Sequence, residues 1–377
     1  MKRIRIFVLL LGVCFASVAW SQQNGWSEFH RHNMQRRNPY ETVLNVSDVG
    51  KLVLKWSYQT GDQISYGSPA VANGVVYVGS LDHNVYALNA ASGVKVWSYT
   101  TGYQVYSSPA VANGVVYVGS DDDNVYALNA KTGHKLWSYT TGYWIPASPT
   151  VANGVVYVGS DDSYVYALNA STGALLWKYL TEQGQAIGSS PALVNGALYI
   201  GGGGGVFYAL NASTGGLLWR YYPGYYAYTS PAVAKGVVYS GSGANGEGGN
   251  VYALNASTGA ELWSDSIGST YSSPAVANGV VYIGGGQDNT VYALKAKTGA
   301  RLWSYATGKD VDSSPAVANG VVYVGSYDGN VYALNASTGA LLWSYTTGGA
   351  VESSPVVTSG MLYVGSDDGK VYAFGLP

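Results

Sequence analysis

This sequence predicts an all-β fold, a single eight-bladed β-propeller with four antiparallel strands per blade. Three observations carry that prediction. A tryptophan returns eight times, at Trp56, Trp97, Trp137, Trp177, Trp219, Trp263, Trp303 and Trp343, with gaps of 40 to 44 residues. A Ser-Pro pair keeps the same beat, its serine at Ser68, Ser108, Ser148, Ser190, Ser230, Ser273, Ser314 and Ser354. Between them lie short apolar runs separated by Asn-Gly and Thr-Gly pairs, with no helical periodicity. A period near forty built from such runs is that of a propeller, because each repeat is one sheet that buries its faces only against its neighbours.

The elements follow in chain order. Residues 1–21 read as a secretory signal: Lys2, Arg3 and Arg5, then an apolar run from Ile6 to Ala19 that is too short to span a bilayer. The one cysteine, Cys14, lies inside it and follows Val13, whereas a lipoprotein needs a small residue there, so no lipid anchor is expected. The mature chain then has no disulfide and no thiol chemistry. Residues 22–50 form a lead-in, and 51–377 the propeller. In the second unit, Ser108–Gly114 is a strand ending in an Asn-Gly turn, and Val115–Ser120 is a second strand. After a polar turn, Val125–Asn129 is the third, and Lys135–Tyr139 is the fourth, beyond a Thr-Gly turn. Glycine accepts the positive φ these hairpin turns need. The first tryptophan strand precedes the first Ser-Pro strand, and the last unit stops at Pro377 without a tryptophan strand of its own. The strand at about 51–59 should therefore complete the last blade and close the ring, hiding the sheet edges.

Composition agrees: 14% aromatic, 51 glycines and only 11% charged suit many short strands joined by tight turns. The net charge of −2, with no basic cluster beyond the first five residues, argues against nucleic acid as a partner. The expected product is an exported soluble monomer, periplasmic or secreted. The eight tryptophans, and the tyrosines of the second and third strands, are expected to pack between blades rather than to act on a ligand.

Ala127-Leu-Asn-Ala-Lys-Thr-Gly-His-Lys-Leu-Trp137 has the form Ala-x-Asn-x-x-Thr-Gly-x-x-x-Trp, with close copies ending at Trp97, Trp177, Trp219, Trp263, Trp303 and Trp343. This resembles the tryptophan-docking repeat of the pyrroloquinoline quinone (PQQ) propeller superfamily, and the matches run over most of the mature chain. Gly25–His32 and the segments beginning at Asn38 and Val49 look like the lead-in that precedes such propellers. The resemblance implies the fold. It leaves chemistry open, because the superfamily holds quinone-dependent alcohol and sugar dehydrogenases as well as non-catalytic members, among them an outer-membrane barrel-assembly lipoprotein. The alcohol dehydrogenases carry long insertions, an adjacent-cysteine disulfide over the quinone, and a calcium site with an Asp base. This mature chain has no cysteine and short loops, which places it closer to the non-catalytic members.

The first and third turns are nearly invariant from unit to unit, and the opposite face is where the copies diverge. There the connection between blades enters the innermost strand at the central channel. Two residues before each Ser-Pro serine stand Tyr66, Tyr106, Pro146, Gly188, Tyr228, Tyr271, Asp312 and Glu352. Four before stand Ile64, Gln104, Trp144, Ala186, Tyr226, Ser269, Asp310 and Ala350, with an apolar residue usually between the two sets. A period of two points both sets the same way. The expectation is a funnel with an aromatic side, Tyr66, Tyr106, Trp144, Tyr226, Tyr228 and Tyr271, and an acidic side, Asp310, Asp312 and Glu352. The aromatics suit stacking on a sugar ring, a quinone or a peptide side chain. The acids could hold Ca²⁺, another hard cation or an amine, with Lys309 as an alternative counter-ion.

Asp121–Asn124 and Asp161-Asp162 resemble fragments of calcium loops but lack the downstream acid, so they read as polar turns. Gly201–Gly205 lacks the lysine and helix of a phosphate loop and reads as a β-turn. His30, His32, His83 and His134 show no metal-ligand pattern beyond His-x-His in the lead-in. Nothing forms a nucleophile–base–acid set. Two functions remain. The first is a non-catalytic binding or scaffold propeller of the bacterial envelope that grips a carbohydrate, peptide or protein at the variable face, with no cofactor. The second is a small PQQ- and Ca²⁺-dependent dehydrogenase of alcohols or aldoses.

Overall fold

The structure is a computed structural model in which residues 25–31, 34–181, 184–243 and 248–377 are described. The predicted signal 1–21, His32 and the middle of the long turn between Gly241 and Gly249 lie outside the described residues.

Eight blades of four antiparallel strands follow one another along the chain, numbered here as blades one to eight from the first Ser-Pro pair, and in blade seven Arg37–Asn38 of the lead-in adds a fifth, parallel strand at the inner edge. Blade two comprises Ala110–Ala112, Val115–Gly119, Asn124–Asn129 and Lys135–Thr140, from the channel outward. Its register sets Ala110, Tyr117, Ala127 and Trp137 in one row across the sheet. Small and large side chains thus alternate, and each tyrosine and tryptophan stands over an alanine with room to lean toward the next blade. The outermost pair carries a β-bulge just before the tryptophan, which leaves Leu136 half in solvent, a kink that simple alternation did not foresee.

The blades are joined by a repeated contact. Trp97 Nε1 donates to the Ala130 carbonyl of the next blade at 2.9 Å, and the Tyr77 hydroxyl donates to the same oxygen at 3.1 Å. Gly133, in the Thr-Gly turn beneath, has φ +73°, and a Cβ there would lie 2.8 Å from the Trp97 ring. Glycine is needed at this point twice over, for backbone conformation and for close approach. Burying each tryptophan contributes about 2–3 kcal/mol by area. Each of the eight tryptophans donates its Nε1 to a backbone carbonyl of the next blade or of the segment leading into it.

Ring closure is as predicted: Val53–Gln59 pairs antiparallel with Lys370–Gly375 and becomes the outer strand of blade eight. Because the chain enters and leaves in this blade, it lacks a Thr-Gly turn. Trp343 of blade seven therefore donates to the Leu52 carbonyl and packs on Phe374. Tyr323, whose seven counterparts all donate to an alanine carbonyl, is left with a buried hydroxyl that has no partner.

The lead-in does more than precede the propeller. Residues 26–31 and 34–38 lie inside the channel and touch every blade. Val71, Val111, Val233, Val276 and Val317 donate their N–H groups to the carbonyls of Trp26, Ser27, Met34, Gln35 and Arg36. Blades three, four and eight are met through the side chains of Glu28, His30 and Asn38. Arg36 is wholly buried on the axis and donates to the carbonyls of Phe29, Ser314, Pro315 and Pro355. The inner edges, which would otherwise be unpaired at the channel wall, are thereby paired.

Candidate functional site

Above this plug the channel opens as a cavity of about 610 Å³, with Phe29 the one residue of the lead-in in its lining. Seven of the eight Ser-Pro serines, all but Ser68, line it, and the eight are tied into a circumferential chain. The N–H of Ser68 donates to Ser108 Oγ, that of Ser108 to Ser148 Oγ, and so on through seven joints to Ser354. At the eighth joint Ser68 Oγ has no partner.

The sequence explains that gap. In blades two to eight a buried residue precedes the serine by three positions, as Val105, Ile145 and Val351 do, and fills the space over a glycine of the preceding blade. In blade one it is Ile64, four positions ahead, that sits over Gly365. The extra residue is absorbed at Tyr66, which takes φ +58°. Ile64 is thus core rather than channel lining, contrary to the period-two expectation for blade one.

All six residues expected on the aromatic side line the cavity. Tyr226, Tyr228 and Tyr271 form a continuous stack, with centroids 5.4 and 6.0 Å apart and ring planes within 24° of parallel. Trp144 stacks on Tyr143, and Tyr66 leans on Tyr106 while sharing a 3.1 Å hydroxyl contact with Tyr327. Such parallel faces, half open to solvent, present π surface to whatever enters.

Of the three expected acids, Asp312 and Glu352 line the cavity, and Asp310 does not. Asp310 lies in the connection into blade seven, where its carbonyl accepts the Tyr327 N–H. Lys309 is exposed and outside the lining, so it is no counter-ion to the funnel. Two further acids, Asp121 and Asp161, complete the set. They begin the turns read as polar loops, and that reading holds for their neighbours only. Asp122 and Asp162 cap the N–H groups of Gly102 and Gly142 and accept the hydroxyls of Tyr126 and Tyr166. Asp121 and Asp161 turn the other way, into the funnel. A signal was present: the residue following each Gly-Ser or Gly-Gly is Leu81, Asp121, Asp161, Gly203, Gly243, Gly286, Tyr327 and Asp367, as divergent as the two sets before the serine.

The electrostatics are one-sided. Among the described residues no lysine, arginine or histidine lines the cavity. Asp121 Oδ1, Asp161 Oδ1 and Glu352 Oε2 are buried atoms without a hydrogen-bond partner. Burial, then the charge of Asp161, pushes Asp121 up to about 7. Burial and Asp162 push Asp161 up to about 6, and burial and Asp310 do the same to Asp312. Burial and the neighbouring Asp367 raise Glu352 to about 7. Each shift has the sign expected when carboxylates are crowded without a cation.

The remaining candidates stay structural. Gly201 and Gly202 end a strand and Gly203–Gly205 turn, with no helix following. His30 is buried, its ring held well below the usual range, to about 3, by desolvation. Among the described residues no group of three His, Cys, Asp or Glu is close enough to hold a metal ion. PQQ is a polycarboxylate, and among the described residues this acidic lining offers it no basic side chain.

A family model described as outer membrane protein assembly factor BamB matches residues 41–144, 107–222, 161–285, 228–317 and 287–375. The chain is similar to the crystal structure of BamB from Moraxella catarrhalis, at 22% identity and TM-score 0.73 over 86% of this chain and 99% of that one. It is also similar to the quinohemoprotein alcohol dehydrogenase of Comamonas testosteroni, at 18% identity and TM-score 0.81 over 96% and 84%. At such identity both share the fold. Over 76 residues it is 36% identical to the dehydrogenase subunit of the quinone alcohol dehydrogenase of Gluconobacter oxydans, a match that spans 20% of this chain and 10% of that protein.

Proposed function

This chain belongs to the repeat family whose model is described as outer membrane protein assembly factor BamB, and from that membership we propose that it is an exported, non-catalytic binding propeller of the bacterial cell envelope. Its funnel grips a small ligand or a protruding side chain of a protein partner. One observation supports this most: an aromatic-walled cavity into which three carboxylates, Asp121, Asp161 and Glu352, each bring a buried oxygen without a hydrogen-bond partner. A pocket with few polar groups and a large π surface suits recognition.

The test is a thermal-shift screen of small sugars, amines, amino-acid amides and organic acids against the mature protein and its Tyr228→Ala variant. Stabilisation of the parent that the variant loses supports the reading. Hits that stabilise both equally would place binding elsewhere. The quinoprotein reading is favoured by fold likeness to the dehydrogenases and opposed by the anionic wall. Adding PQQ with Ca²⁺ is expected to leave both the quinone spectrum and the melting temperature unchanged.

A further inference from the structure

We infer that the funnel selects organic cations: its ligand carries an ammonium or guanidinium group on an apolar body, which lies on the Tyr226–Tyr228–Tyr271 stack with its charge among Asp121, Asp161, Asp312 and Glu352. The inference rests on the funnel being a binding site and adds the chemical class of what it binds.

Two independent observations converge. The first is geometric. Asp121 is only 6% and Glu352 only 8% exposed, both line the cavity, and Asp121 Oδ1 and Glu352 Oε2 have no hydrogen-bond partner. Buried carboxylate oxygens with nothing to accept are costly unless something brings donors to them. Tyrosine hydroxyls reach Glu352 and Asp312 but leave these two oxygens unpaired, and among the described residues the lining holds no basic side chain. Arg36, buried in the channel, is committed to four backbone carbonyls.

The second is the aromatic wall. Tyr226, Tyr228 and Tyr271 are stacked nearly parallel on blades five and six, with Asp312 of blade seven against the Tyr271 backbone. The negative face of a tyrosine ring attracts a cation, and more strongly where water is excluded. Acids and π faces in one cavity therefore favour the same sign of charge. An inorganic ion would use neither the stack nor a volume of about 610 Å³, and no three acids are close enough to chelate it. A polar sugar would leave the carboxylates crowded. An organic cation uses both walls.

Such a group can come free in solution or on the arginine or lysine of a protein, and the probes separate the two. Choline and its neutral isostere 3,3-dimethyl-1-butanol, arginine amide, a short peptide with a central arginine, and citrate are titrated calorimetrically into the full mature chain. Choline or arginine amide is expected to bind at least about tenfold more tightly than the neutral isostere, as a desolvated cation–π contact and one carboxylate imply. Tight binding by the peptide alone would assign the cation to a protein partner. The double variant Asp121→Asn, Glu352→Gln should lose about tenfold for the cations and nothing for the neutral isostere, while melting no lower than the parent. If the isostere or citrate binds as well as the cations, and Tyr228→Ala abolishes it, the binding funnel stands and cation selection falls. If no cation binds at millimolar concentration, or if the double variant binds cations undiminished, the inference is overturned.

Discussion

Replacing Asp121 by asparagine should stabilise the protein at high pH. In the fold its carboxyl is raised from the ordinary value of 3.8 to about 7, by burial first, then by Asp161, Asp122 and Asp123. A carboxyl held above its unfolded value keeps its proton in the native state after the unfolded chain has lost it. Stability then falls as pH rises through the interval between the two values and stays low above it. The cost is absent below about pH 4, grows from pH 4 to pH 7, and is complete at pH 8. The full displacement corresponds to an upper limit of about 4 kcal/mol. Asp161 shares the repulsion and relaxes in the variant, and water reaches the cavity, so about 2 kcal/mol is the expected gain at pH 8. Near pH 4 the gain should shrink to roughly 0.5 kcal/mol. Asparagine matches the shape of aspartate and can donate to Asp161, so packing is preserved. Urea unfolding of both proteins at pH 4 and pH 8, followed by tryptophan fluorescence, gives the two differences. An asparagine variant no more stable than the parent at pH 8, or a gain equal at both pH values, would refute the crowded-carboxylate account.

The scaffold yields three more predictions. Tyr282→Phe removes a hydroxyl that donates to the Ala336 carbonyl at 3.0 Å and should cost about 1 kcal/mol, whereas Tyr323→Phe, whose hydroxyl has no partner, should be neutral or stabilising; equal losses in urea unfolding would contradict this. Gly133→Ala puts a side chain at φ +73° against the Trp97 ring and should cost about 2–3 kcal/mol, read as a lower urea midpoint with a red-shifted tryptophan emission. Arg36→Met strands four carbonyls on the axis and should destabilise by about 3 kcal/mol, with Arg36→Lys recovering little because it lacks the planar fork; full recovery by lysine would show that charge rather than geometry matters there.

Much of this was legible from the chain. The tryptophan and Ser-Pro periods predicted eight blades, and their phase offset predicted that the strand beginning near 51 would close the last one. The 41-residue gap between Trp56 and Trp97 was the trace of the extra residue in blade one, yet only the buried position of Ile64 shows how it is absorbed. The aromatic wall was found because its residues stand at fixed distances from an invariant landmark. Asp121 and Asp161 were missed because they adjoin Asp122 and Asp162, which do serve the turn, and a sequence does not tell which of two adjacent carboxylates faces the axis.

What the sequence by itself determined is the repeat: strand lengths, turn residues and the glycine beneath each tryptophan are local or neighbour-to-neighbour requirements, and each unit states them again. What only the tertiary structure decided concerns the axis, where eight copies meet. That residues 26–31 and 34–38 of the lead-in meet every blade, that Arg36 is buried on four backbone carbonyls, and that acids from blades two, three, seven and eight share one cavity are consequences of ring closure. Closure brings together residues up to 319 positions apart, and no local pattern encodes which of them will share a space without water and without a counter-charge.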